Sequence, residues 1–186
     1  MENSNDVTVL LRRIAAGDLA ARDELVPLIY DQLRRLARSA MKSERASHTL
    51  QPTALVHEVY IRMLGQISEA SDRAHFFAIA ARTMRQVLVD QARIKLAAKR
   101  GGGQWAVELQ EGTIAIEQKP AMLLHLNEAL DRLEQISPRA AQVIDMQCFG
   151  GMTQEEIALA LGLTPRTIKR DWDFGKKFLK KELKAA

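Results

Sequence analysis

The sequence predicts an all-α protein of two small helical domains joined by a linker, the C-terminal one a four-helix unit that contains a helix-turn-helix. Three observations carry this expectation. Of 186 residues, 47% are hydrophobic but only 5% are aromatic, and Gly and Pro number 10 and 5, so the chain is core-forming and rich in residues with helical preference. Apolar residues recur at intervals of three and four along most of its length. The breakers fall between those stretches, with one aperiodic segment between two sets of helices.

Residues 7–15 carry a helical stripe at Val7, Leu10, Leu11 and Ile14, with Gly17 as a stop and Asp18 placed to cap the next helix. That helix runs to about Met41 and contains Pro27, which is expected to kink or delay it. After a polar break over residues 43–51, Pro52 opens a short helix to Leu64 whose apolar positions are Leu55, Val56, Val59, Tyr60, Met63 and Leu64. A polar loop over residues 66–72 ends in Asp72 as a cap. The long helix that follows, from Arg73 to about Lys99, should span about 40 Å. Its first half is apolar and its second half basic, and Gly101, Gly102 and Gly103 end it.

Residues 104–120 show no sustained period, carry Glu108, Glu111 and Glu117, and are broken by Gly112 and Pro120. They read as the linker. A helix over residues 121–135 follows. Ser137 and Pro138 read as the cap and first residue of another helix, which reaches about Phe149 and is closed by Gly150 and Gly151. Two short helices complete the unit, so the expected division is 1–100, a linker over 101–120, and 121–186.

The formal net charge is +4. The stretch from Arg82 to Arg100 carries +5, the stretch from Leu163 to the end carries +5, and the remainder sums to −6. Two separated basic faces on an acidic body suit a polyanion touched at two places. With one cysteine, Cys148, no internal disulfide or Cys-rich zinc site can form, and that thiol is expected to be a small buried apolar residue. The polar start and the lack of a long apolar run lead to the expectation of a cytoplasmic protein without membrane insertion.

The most specific local signal is GMTQEEIALALGLTPRTIKR over residues 151–170. Thr153 and Glu156 form a capping box, with Met152 and Ile157 as its hydrophobic staple. Ala158 is small where two helices must approach closely. Gly162 supplies the turn, and Thr164 and Pro165 cap and open a second helix. In that helix Ile168, Trp172, Phe178 and Leu179 make an inward stripe, which leaves Arg166, Thr167, Lys169, Arg170 and Asp173 facing outward near its start. Side chains there reach base edges and phosphates in a major groove, while Lys176, Lys177, Lys180 and Lys181 suit backbone contacts.

Other chemistries fit poorly. His57 and Glu58 begin like a zinc-protease helix, but the position that needs the second histidine is Ile61. His48, His57, His75 and His125 lack ligand spacing, and no catalytic constellation of Ser, His and Asp or of paired carboxylates is defensible. No metal, cofactor or catalytic residue is therefore expected. Phe76, Phe77 and Ile79 read as core, Tyr60 as interior, and Trp105 as a weak base-stacking candidate. A dimeric helix-turn-helix regulator remains the alternative, although no heptad seam long enough for dimerisation is present.

With these motifs in view, the chain resembles the extracytoplasmic-function RNA polymerase sigma factors over nearly its whole length. The resemblance rests on LQPTALVHEVYIR (50–62), FFAIAAR (76–82), DQAR (90–93), KRGGG (99–103) and TIKRDW (167–172). It implies a non-enzymatic subunit that joins core RNA polymerase, at its clamp and flap regions, and directs initiation. By resemblance, Leu55, Glu58, Val59, Arg62 and Met63 dock on the clamp. Arg82, Arg85, Arg93, Lys95, Lys99 and Arg100 meet the minus-10 element and its melted strand, with residues 66–72 near a flipped base. Arg166, Thr167, Lys169, Arg170, Asp173, Lys176 and Lys177 serve the minus-35 element of duplex promoter DNA. The linker would thread through the polymerase, and an anti-sigma or other regulatory protein is a further partner the resemblance allows. The chain departs from many members in having Gln51, Pro52, Thr53 and Ala54 where they carry an acidic run, and Arg82 where they carry an Asn.

Overall fold

The computed structural model describes residues 3–40, 52–98, 109–110, 113–114 and 120–185. Within them lie α1 (Asn3–Ala15), α2 (Ala20–Ala40), α3 (Pro52–Met63), α4 (Arg73–Ala98), α5 (Pro120–Ile136), α6 (Pro138–Cys148), α7 (Gln154–Leu161) and α8 (Pro165–Ala185). The expected break over residues 43–51, the glycine stop at 101–103, and Lys99, Arg100, His48 and Trp105 lie outside the described residues. Between α4 and α5, β1 (Leu109–Gln110) pairs antiparallel with β2 (Thr113–Ile114), Leu109 opposite Ile114.

Local chemistry sets most helix ends. Asp18 Oδ1 accepts from the amides of Ala20 and Ala21 at 3.0 and 3.3 Å, which satisfies donors that the first turn of α2 leaves without helical acceptors. Arg13 holds that carboxylate at 2.7 Å and keeps the Asp18 pKa below the usual range. Asp72 does the same for α4, accepting from the His75 amide at 2.9 Å, and the Arg73 amide reaches Thr8 Oγ1 of α1 at 3.3 Å. Ser137 makes no side-chain cap bond, so α6 starts on the geometry of Pro138 alone. Helix α2 runs through Pro27 instead of starting at it. The loop before α4 is less polar in practice than its composition suggests. It contains a 3-10 turn, Ile67–Glu69, that inserts Ile67 and Ala70 into the core.

Helix α4 organises the molecule. Buried residues fall on Phe76, Phe77, Ala80, Ala81, Met84, Val87, Leu88, Val89 and Ala92, an arc of about 220° around the helix, with Arg82, Gln86 and Arg93 exposed on the remaining side. An apolar face that wide is stable only when several helices cover it. It packs on α1, α2 and α3 in one direction and on α5, α6 and α7 in the other. The rings of Phe76 and Phe77 meet edge to face with centroids 5.2 Å apart, so they belong to the core, as expected. Tyr60 and Ile79 pack half-buried against it, and so does Cys148, which is less enclosed than its expected buried position.

In the C-terminal set, α8 lies against α5 and α6 with Gly175 at the crossing. A Cβ there would come within 2.8 Å of Ile144 Cγ1 and 3.4 Å of Leu133 Cδ2. Helix propensity alone favours Gly175→Ala by about 1 kcal/mol, but over-packing costs about 1–3 kcal/mol. The substitution is therefore expected to lower the melting temperature by a few degrees, measurable by calorimetry.

Candidate nucleic-acid interface

The α7–α8 pair forms a helix-turn-helix with its capping box, turn glycine and second-helix cap in place. Thr153 Oγ1 accepts from the Glu156 amide at 3.2 Å, and the Glu156 carboxylate accepts from the Thr153 amide at 2.8 Å. Ile157 is buried and Met152 packs against the core. Gly162 closes α7 with φ of 63°, the left-handed region that a Cβ disfavours. Thr164 Oγ1 then accepts from the Thr167 amide at 3.2 Å and lies 2.9 Å from the Thr167 hydroxyl.

Ile168, Trp172 and Leu179 seat α8 in the core, with Phe178 half-buried beside them. On the opposite side Arg166, Lys169, Arg170, Lys177, Lys180 and Lys181 are exposed, while Thr167, Asp173 and Lys176 are half-buried. The Lys169 ammonium is 3.3 Å from Asp173, a surface pair of small energetic weight. A run of cations on an exposed helix face is what phosphate contact requires, and the planar Arg166 and Arg170 forks can also grip guanine.

One residue that sequence reasoning passed over orients this helix. Asp171 is nearly buried and accepts two hydrogen bonds from Arg139 of α6, at 2.5 and 3.2 Å. The pair raises the Arg139 pKa, chiefly through these bonds. An acid inside a basic stretch was the available signal, but nothing local pointed to Arg139.

The basic half of α4 is distributed differently. Arg93 is exposed and lies 3.2 Å from Asp90, and Lys95 is half-buried. Arg82 makes a two-pronged contact with Glu134 of α5 at 2.8 and 3.1 Å. Arg85 is only 3% exposed. Its Nη1 donates to Asn127 Oδ1 at 3.0 Å and Asp131 Oδ1 at 3.2 Å, and its Nε lies 3.1 Å from Asp145 Oδ1 of α6 without the alignment of a hydrogen bond. Arg85 therefore faces acids of the C-terminal helices, not solvent. Asn127 Nδ2 donates to Asp131 at 2.9 Å and stiffens the acceptor group.

Burial pushes the Asp145 carboxyl up to about 6, against the pull of Arg85 and Arg82 and with Glu134 and Asp131 adding to the rise. A group whose folded pKa is raised contributes stability at low pH that is lost as pH rises through the folded value. From the ordinary 3.8 to about 6, stability should fall by about 1.4 kcal/mol per pH unit and then level off. Asp145→Asn should remove this slope. Urea titrations at pH 4.5, 5.5 and 7.5 would measure it.

The five expected polymerase contacts on α3 divide sharply. Leu55, Val59 and Met63 are buried and serve the core, whereas Glu58 and Arg62 look outward. Arg62 bonds Glu58 at 2.9 Å and Asp90 of α4 at 2.7 Å, and these bonds raise its pKa, the Asp90 bond most. The solvent side of α3 also carries Ala54, His57 and Ile61. Among the described residues no group of three metal-binding side chains comes together, and no helix is long and apolar enough to cross a membrane.

Comparison with curated proteins gives no significant match. The family model described as ECF sigma factor matches residues 4–185, and thus spans α2 through α8 and nearly all of α1. With an all-helical fold and a basic helix-turn-helix already in view, a match of that extent shows that the chain belongs to the ECF sigma factors, the non-enzymatic subunits that direct promoter-specific initiation by RNA polymerase.

Proposed function

We propose a division of labour within this sigma factor. The α1–α4 half docks on the polymerase clamp through the outer face of α3 and opens the minus-10 element with the basic side of α4. The α5–α8 half sits near the flap and reads the minus-35 element with α8. Residues 101–120 join the two as the linker, whose last residue, Pro120, opens α5. The observation that carries the reading is the exposed row Arg166, Lys169 and Arg170 at the start of α8, directly after a capped turn.

Two features support the first half of the proposal. The outward side of α3, with His57, Glu58, Ile61 and Arg62, is a mixed apolar and charged strip of the kind a protein interface uses. At the start of α4, a cleft of about 250 Å³ is lined by Val7, Pro27, Leu28, Asp31, Gln32, Arg35 and Arg73, the last of which directly follows residues 66–72 in sequence. A basic pocket there suits a base drawn from the stack, an extrusion that costs a few kcal/mol and calls for compensation.

Footprinting of reconstituted holoenzyme on a promoter found by sequencing its transcripts tests the division. Hydroxyl-radical cleavage from a probe tethered near the start of α8 should map to the minus-35 region, and from a probe near Arg93 to the minus-10 region. The opposite assignment, or cleavage by both probes at one element, would overturn it.

A further inference from the structure

Between Arg82 and Arg100 six cations are accompanied by a single acid, Asp90. A carboxylate on a helix that meets a polyanion weakens the attraction, so its presence calls for a reason. Asp90 is half-exposed at the edge of the outer stripe of Arg82, Gln86 and Arg93, and each of its oxygens has its own arginine. Oδ2 accepts from Arg62 Nη1 of α3 at 2.7 Å, and Oδ1 accepts from Arg93 Nη1 of α4 at 3.2 Å. Arg62 is held in turn by Glu58, to which its Nε donates at 2.9 Å.

Stability is not what this row of charges supplies. The side chains of Glu58, Arg62, Asp90 and Arg93 are 43%, 37%, 39% and 63% accessible, and ion pairs so exposed contribute little to folding. Placement is what it supplies. The shorter contact to Arg62 fixes the carboxylate against α3 and neutralises it, so that Arg93 keeps its own charge for a DNA strand. The longer contact to Arg93 engages only Nη1 and leaves the guanidinium fork largely in solvent. A side chain steadied in this way loses less rotamer freedom when a phosphate arrives.

We infer that Asp90 is a positioning residue for promoter opening: anchored on α3 by Arg62, it holds Arg93 of α4 ready for the phosphates of the minus-10 strand. The inference rests on the reading of α4 as the minus-10 helix. The sign of the effect is diagnostic. An acid that only opposes DNA would, when neutralised, speed opening by raising the local positive charge. An acid that steadies Arg93 slows opening when it is lost, in spite of that gain in charge.

Holoenzyme reconstituted with the full chain is mixed with its promoter, and permanganate reactivity of the unpaired thymines gives the opening rate. Asp90→Asn should slow opening about tenfold, the loss expected for one charge-assisted hydrogen bond. It should leave affinity for core polymerase, read by fluorescence anisotropy, within about twofold and the melting temperature within about 2 °C. In an Arg93→Ala chain, itself slow to open, Asp90→Asn should add no further slowing. Circular dichroism checks folding, and Asp90→Ser takes the place of a variant that fails it. Unchanged or faster opening by Asp90→Asn overturns the inference. So does slowing that persists undiminished in the Arg93→Ala chain, or a loss of polymerase affinity equal to the loss of opening. Arg93→Ala that opens at the wild-type rate sinks instead the assignment of α4 to the minus-10 element, a result distinct from each of these.

Discussion

Arg166→Ala combined with Lys169→Ala should reduce promoter-specific initiation by reconstituted holoenzyme on the order of 100-fold while leaving its affinity for core polymerase within twofold. Both side chains are exposed on the outer side of α8, where the Lys169 ammonium lies 3.3 Å from Asp173. Their loss should change fold stability by less than about 0.5 kcal/mol. A good arginine contact to a base edge is worth about 1–3 kcal/mol, and a lost phosphate contact weakens binding and flattens its salt dependence. Run-off transcription over a salt series, with polymerase affinity measured in parallel, separates these effects. Equal loss in both assays would show that α8 serves polymerase docking, and no loss in either would show that it reads nothing.

A second large effect is expected on α3. Leu55→Ala and Met63→Ala should each destabilise the fold by about 2–5 kcal/mol, because both side chains are completely enclosed and their removal leaves cavities. That corresponds to a drop in melting temperature of roughly 4–20 °C at this chain length. Ile61→Asp, at a position 60% exposed, should leave stability nearly unchanged and weaken core binding by about tenfold. If Leu55→Ala instead keeps the wild-type melting temperature and loses polymerase, then the helix must turn its buried stripe outward on docking. Thermal denaturation and polymerase titration on the same preparations decide between these outcomes.

The contrast between the two helices shows what kind of information a sequence holds. On α8 the inward and outward stripes differ in chemistry: Ile168, Trp172 and Leu179 against Arg166, Lys169 and Arg170. Hydrophobicity alone therefore sorts core from binding face. On α3 the family-matched motif joins apolar and charged residues, and periodicity identifies a stripe without saying whether it meets the core or a partner. Leu55, Val59 and Met63 proved to meet the core, leaving Glu58 and Arg62 from that motif on the outside.

The all-α class, the helix-turn-helix, the capping box of Thr153 and Glu156, the turn at Gly162 and the caps at Asp18 and Asp72 were legible in the amino-acid order, because each depends on groups within a few residues of one another. Only the tertiary structure decided that Arg85 faces Asp145 instead of solvent, that Arg139 anchors Asp171, and that Gly175 must lack a side chain beside Ile144. Each of these joins residues at least 31 positions apart. A cation that will meet a buried acid reads the same along the chain as one that will meet a phosphate, and packing alone distinguishes them.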